Sequence, residues 1–127
     1  DANGRLDNAG ADPTGIAGIA TSDGANNATA GAANGSVYVA NRDTIFRGNL
    51  RGAAGVNYVL TQADLGILYG IARDATNEVW YVEQSETTST RVRVVAFEDA
   101  VGDTNARVHF KFIDDNGTTA NILQLAG

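Results

Sequence analysis

From Val37 onward the chain is divided into short runs rich in β-branched and aromatic residues, separated by Gly, Asn, Asp and Thr. Strands that are this short and this regularly interrupted are typical of an antiparallel sheet that closes into a barrel or packs as a sandwich. We therefore expect an all-β fold, a single small antiparallel β-barrel or sandwich of 6–8 strands. The candidate strands in this part of the chain cover residues 37–40, 44–50, 56–60, 68–72, 79–83, 91–97 and 107–113.

Alternation of apolar and polar residues is clearest at 107–112, where Val108, Phe110 and Phe112 share one face of the strand. Residues 91–94 repeat the pattern, with both arginines on the polar side. The apolar phase then shifts by one residue at 95–97, which indicates a β-bulge; a strand buried on both faces is the alternative.

Two local signals lie between the strands. Residues 61–66 predict one helical turn, because Thr61 can cap toward Asp64 and Gly66 can end the turn. Residues 74–77, 102–105 and 114–117 carry the side chains that favour reverse turns.

Small side chains dominate the first third of the chain. Alanine, glycine and asparagine supply 21, 15 and 12 of the 127 residues, and before residue 37 the large aliphatic side chains are Leu6, Ile16 and Ile19. Such a segment buries too little apolar surface to order alone. We therefore predict an extended Gly/Ala/Asn-rich N-terminal arm at 1–36, with one strand at 15–21 that is free to join a barrel-like domain at 37–127.

Composition excludes several classes of function. A net charge of −6 disfavours nucleic acid as a partner, and no apolar run is long enough to span a membrane. The lone His109 lies on an outward strand position between Arg107 and Lys111, without the nucleophile and carboxylate of a triad. We expect no enzymatic activity, and no catalytic residue, cofactor or metal ligand.

Arginine is the one chemically distinctive residue type. Eight of the nine basic residues are Arg, and Arg42, Arg47 and Arg51 cluster around Ile45-Phe46. Arginine binds carboxylates in bidentate geometry and is favoured at interfaces. This pattern predicts a partner interface formed by Arg42, Phe46, Arg47 and Arg51; a solvated edge strand paired with Asp43 and other acids is the alternative.

Several segments together resemble the head decoration, or cement, proteins of tailed bacteriophages. They are Gly15-Ile16-Ala17, residues 37–49 (VYVANRDTIFRGN), 68–76 (LYGIARDAT), 79–82 (VWYV), 87–94 (TTSTRVRV), Gly102 and 107–112 (RVHFKF). The resemblance covers about residues 15–113. It implies a β-barrel-like domain on the capsid exterior of the virion, which stabilises the shell by bridging subunits of the major capsid protein. It also implies self-association, with a trimer favoured and a dimer open.

Aromatic residues support a different hypothesis. Trp80, Tyr81, Tyr58 and Tyr69 would form an aromatic platform if they shared one exposed face. The chain would then be a carbohydrate-binding or adhesive β module of a phage tail or cell surface.

Overall fold

The computed structural model describes Ile16 and residues 18–20, 37–40, 43–74, 76–77 and 79–113. Within these ranges the chain has seven strands and no α-helix, which confirms the predicted all-β fold. Short 3-10 turns occur at Ala53–Gly55 and Gln62–Asp64. The strands are β1 (Gly18–Ala20), β2 (Val37–Val39), β3 (Phe46–Arg51), β4 (Leu68–Asp74), β5 (Val79–Glu83), β6 (Val92–Phe97) and β7 (Arg107–Phe112).

Five of these strands close into a barrel in the order β3-β5-β4-β6-β7. The β4–β5 and β6–β7 pairs are antiparallel, and β4 pairs with β6 through Tyr69 and Val92. The barrel closes where Leu50 of β3 pairs in parallel with Val82 of β5. Parallel neighbours need a crossover connection, which here is residues 52–78 and includes β4.

Strands β1 and β2 form a separate antiparallel ribbon, in which Ile19 lies opposite Tyr38. The predicted strand at 15–21 therefore pairs with β2 in this structure. Ile16 and Ala40 lie at the same end of the ribbon and are both buried in the core of the barrel. The remainder of the predicted arm and the turn at 114–117 lie outside the described residues.

Alternating strand residues fill the barrel. Phe110 and Phe112 of β7 and Phe46 of β3 contact one another with ring centroids 5.3 to 6.1 Å apart, a favourable range for aromatic pairs; Phe46 and Phe110 stack, and both meet Phe112 edge to face. A Cβ on Gly48 would lie 3.1 Å from the Phe110 ring, so the small residue makes room for it. The largest side chains that lose almost all solvent contact are Leu50, Leu60, Val82, Val92, Val94 and Val108.

Two local predictions have clear outcomes. The bulge in β6 is confirmed, because its pairing with β7 shifts register between Val94 and Ala96. The strand predicted at 56–60 is wrong: Val59 makes only an isolated bridge with Thr104. Backbone hydrogen bonds join this segment to the turn at 102–105, and a turn cannot continue a ladder.

The predicted helical turn at 61–66 is confirmed and carries a buried carboxylate, Asp64, which is 2% exposed. The Tyr69 hydroxyl donates to Asp64 Oδ1 at 2.6 Å, and the Thr61 backbone N–H donates to Oδ2 at 2.8 Å. The Tyr58 hydroxyl donates to the same carboxylate. Burial alone would raise the pKa of Asp64, but these hydrogen bonds outweigh it and hold that pKa below its ordinary value. The carboxylate thus fastens residues 58–64 to β4.

Candidate functional site

The outer surface of β3, β7 and β6 concentrates positive charge. Register places Arg47 opposite His109 and Arg93 opposite Lys111, and Arg107 lies two residues before His109. Since Val108, Phe110 and Phe112 are buried, the intervening residues of β7 lie on the outer side of the barrel. We call this surface, formed by Arg47, Arg93, Arg107, His109 and Lys111, the basic face.

At one end of the basic face, two carboxylates follow β6. Arg107 donates two parallel hydrogen bonds to Asp99, from Nη2 to Oδ1 at 2.6 Å and from Nε to Oδ2 at 3.0 Å. The Arg107 backbone N–H also donates to Asp99 Oδ2 at 2.8 Å. These hydrogen bonds from the Arg107 side chain and backbone lower the pKa of Asp99 to about 2. The carboxylate therefore stays charged at any physiological pH.

Glu98 is shared by three neighbours on the same face. Its Oε1 lies 3.2 Å from Arg47 Nη1 and 3.4 Å from Arg107 Nη1, and its Oε2 lies 3.3 Å from His109 Nε2. One carboxylate thus holds together side chains from β3 and β7. The predicted interface residue Arg47 already has an internal carboxylate partner. The alternative of an edge strand is nevertheless wrong, because β3 pairs with β5 on one side and with β7 on the other.

Within the part of the chain that the structure describes, the other end of the basic face has no carboxylate partners. Arg93 and Lys111 are directly opposite each other, and neither forms an ion pair with a carboxylate of the described residues. Arg93 Nη1 donates instead to the Gly66 carbonyl at 2.7 Å. Like charges at directly opposed positions of an antiparallel pair destabilise it. This pair therefore costs folding free energy, and no carboxylate among the described residues compensates that cost.

The sign of this surface is opposite to that of the chain as a whole. Four permanent cations (Arg47, Arg93, Arg107 and Lys111) and two carboxylates (Glu98 and Asp99) leave it with a charge of +2 when His109 is neutral, whereas the whole chain carries −6. A local field of this kind attracts negatively charged partners even when the net charge repels them.

The residues predicted as one interface are separated in the structure. Arg47 lies on the basic face, but Arg51 Nη1 donates to the Gly55 carbonyl at 3.3 Å, beside Tyr81. Phe46 is half-buried in the aromatic core. Arg42 lies outside the described residues.

Sequence reasoning missed Arg93, Arg107 and Lys111 as members of one surface. Alternation had already placed each on the polar side of its strand, so the missing information was the pairing of β6 with β7 and of β7 with β3. The same reasoning placed Arg91 on the polar side too, but Arg91 is only 6% exposed and donates to the Thr90 carbonyl. Arg91 lies just before β6 and is buried, although alternation alone predicts an exposed side chain there.

The four aromatic residues of the alternative hypothesis do not share an exposed face. Tyr69 and Tyr81 are about 5% exposed or less, and the hydroxyls of Tyr58 and Tyr69 are both bound to Asp64. Trp80 is 40% exposed at the end of the β4–β5 hairpin. The structure therefore supplies no aromatic platform among the described residues.

No protein-family model, curated protein or solved structure matches this chain. In the described ranges, no cluster of three or more His, Asp or Glu side chains is arranged to hold a metal ion. No helix in that part of the chain is long and apolar enough to cross a membrane.

Proposed function

We propose that this protein is a structural virion protein that decorates the outside of a bacteriophage capsid and stabilises it by bridging subunits of the major capsid protein. The observation that carries the proposal is the basic face, a cationic sheet surface on an otherwise acidic chain. The resemblance of residues 15–113 to head decoration proteins supports the same assignment. A surface that attracts acidic groups and contains no reactive constellation suits attachment better than catalysis.

Repetition makes such a surface effective on a shell. An exposed ion pair contributes only about 0 to 1 kcal/mol, so a single copy would be held weakly. When copies associate with one another, each further contact becomes intramolecular and gains from effective concentration. Self-association, with a trimer favoured over a dimer, is therefore part of the proposal, and the ribbon β1–β2 offers Ile19 and Tyr38 as exposed apolar groups for such contacts.

Co-sedimentation with capsids tests the proposal. The shells should come from the phage in which the gene beside this one encodes the major capsid protein. We expect the unmodified protein to saturate the shell exterior and to raise the temperature at which particles rupture. Arg47→Glu should reduce occupancy severalfold, because it reverses charge at the centre of the basic face.

Arg73→Glu is the matched control, since it makes the same charge change at an exposed position on β4. Its occupancy should equal that of the unmodified protein. If the unmodified protein binds no capsid of its own phage, the decoration function is wrong. Equal losses with both variants would show that attachment depends on net charge rather than on the basic face.

A further inference from the structure

Resting on the proposed function, we propose that Arg93 and Lys111 form the recognition end of the basic face and bind carboxylate side chains of an acidic partner protein. Arg47 and Arg107 do not share this role, because they are already paired with Glu98 and Asp99.

The occupied end shows which ligand this surface takes. Arg107 binds Asp99 through two parallel contacts of 2.6 and 3.0 Å, the bidentate geometry in which a guanidinium recognises a carboxylate. Glu98 bridges Arg47 and Arg107 at 3.2 and 3.4 Å. The chain thus supplies carboxylates to one end of the basic face from its own sequence and supplies none to the other end among the described residues.

The unoccupied end lies within reach of the same chemistry. Lys111 is one side-chain step along β7 from His109, about 6.6 Å away by strand geometry. Arg93 is exposed, and its guanidinium donates to the neutral carbonyl of Gly66. A second carboxylate-bearing surface placed over Arg93 and Lys111 would therefore complete the pattern that Glu98 and Asp99 begin.

Stability points in the same direction. Two cations held directly opposite each other repel, and an anion placed between them removes that repulsion. The pair therefore stabilises the complex more than the free protein. A purely structural pair would instead contribute to folding.

A protein partner fits this surface better than a nucleic acid does. Phosphate-driven binding needs several uncompensated cations on a chain that does not repel the polyanion. Here the chain carries −6, and two of the four permanent cations are neutralised by Glu98 and Asp99. Two remaining cations match two carboxylates of a protein surface.

The test titrates the free, full-length protein with a synthetic glutamate hexamer at low ionic strength, where screening is weak. Binding is followed residue by residue through amide chemical shifts. We expect saturable shifts centred on Arg93 and Lys111. The double variant Arg93→Gln/Lys111→Gln should weaken binding about tenfold or more, and its melting temperature should be equal to or higher than that of the unmodified protein.

Arg73→Glu is again the control, since it changes net charge by the same −2 as the double variant. Equal weakening by the control would overturn the assignment, as would shifts that map elsewhere or do not saturate. A thymidine hexamer tests phosphate as the ligand in place of carboxylate. Tighter binding of this oligonucleotide than of the glutamate hexamer would overturn the preference for carboxylates. A lower melting temperature for the double variant would show that the pair has a structural role instead.

The two proposals fail in distinguishable ways. If the glutamate hexamer binds at Arg93 and Lys111 but the double variant still occupies capsids fully, the carboxylate site stands and the capsid is not its partner. If capsid binding is lost in the double variant while the hexamer does not bind, the decoration function stands and recognition does not proceed through carboxylates.

Discussion

The outer surfaces of the two hairpins differ in how far they are covered: other parts of the chain pack over β4–β5, whereas β6–β7 faces solvent. Outside β4–β5, Tyr81 is 5% exposed, and a Cβ on Gly55 would lie 3.7 Å from its ring. Gly70 lies so close to Glu86 that a Cβ there would overlap the Glu86 side chain. The chain therefore folds back over this hairpin through residues 52–56 and 84–89. Outside β6–β7 and β3, charged side chains face solvent.

This difference shows how one small barrel separates folding from binding. The outer surface of the covered hairpin makes contacts within the protein, beside the hydrogen bond from Arg51 to the Gly55 carbonyl. In the uncovered sheet, Arg93 and Lys111 lie directly opposite each other. Two like charges in this position destabilise the folded protein, so folding alone does not explain them. A region that carries such a cost without an internal compensation is the region where a partner is expected.

The largest expected effect tests whether the two hairpins share one core. Phe110 is 5% exposed beneath the basic face and contacts Phe46 and Phe112. Phe110→Ala should lower the free energy of unfolding by about 3 to 5 kcal/mol. Urea unfolding followed by Trp80 fluorescence, on the opposite hairpin, should report the same loss as circular dichroism. A loss below about 1 kcal/mol would contradict the inward position of Phe110, and divergent transitions would contradict a shared core.

An intermediate effect is expected at the covered side, where Asp64 fastens residues 58–64 to β4. Asp64→Asn replaces a carboxylate that accepts from Tyr58, Thr61 and Tyr69, so at least one buried donor loses its acceptor. We expect a loss of about 2 to 3 kcal/mol in unfolding free energy at neutral pH. Asp74→Asn is the matched control, since that carboxylate accepts hydrogen bonds in an exposed turn where Asn is also favourable.

The pH dependence of this difference has a definite sign. The pKa of Asp64 is lower in the folded protein than its ordinary value near 3.9. Its stabilisation is therefore complete above about pH 4 and is lost as pH falls through the folded pKa. The gap between the unmodified protein and Asp64→Asn should shrink in acid. A gap that stays constant to low pH would show that the carboxylate charge is not what stabilises this segment.

Local sequence signals predicted much of this fold. The bounds predicted for β5 are those observed, and the bulge at Val94/Ala96 and the turn fastened by Thr61 and Asp64 follow from short-range patterns. Each depends on residues close together in the chain, where period-two alternation and capping chemistry operate.

Long-range pairing was not predictable in the same way. The parallel contact of β3 with β5 joins Leu50 to Val82, and the bridge of Val59 to Thr104 replaces a predicted strand. The candidate site depends on such pairing, because Arg93 and Lys111 are 18 residues apart and become neighbours only through the β6–β7 register. A cluster of arginines in sequence was therefore a poor guide: Arg47 and Arg51 lie on one strand but have different surroundings.

The smallest expected effect on stability belongs to Glu98, and its effect on binding has the opposite sign. Glu98→Gln removes the charge shared by Arg47, Arg107 and His109, pairs that are exposed enough to contribute less than about 1 kcal/mol to folding. The same change frees the Arg47 guanidinium, whereas Arg107 stays bound to Asp99, and it raises the charge of the basic face from +2 to +3. Affinity for the glutamate hexamer should therefore increase while unfolding free energy decreases slightly. Glu83→Gln makes the same charge change on β5 and should leave the affinity unaltered. Weaker binding by Glu98→Gln would contradict a face that recognises carboxylates, because it would make Glu98 part of the surface that the partner contacts.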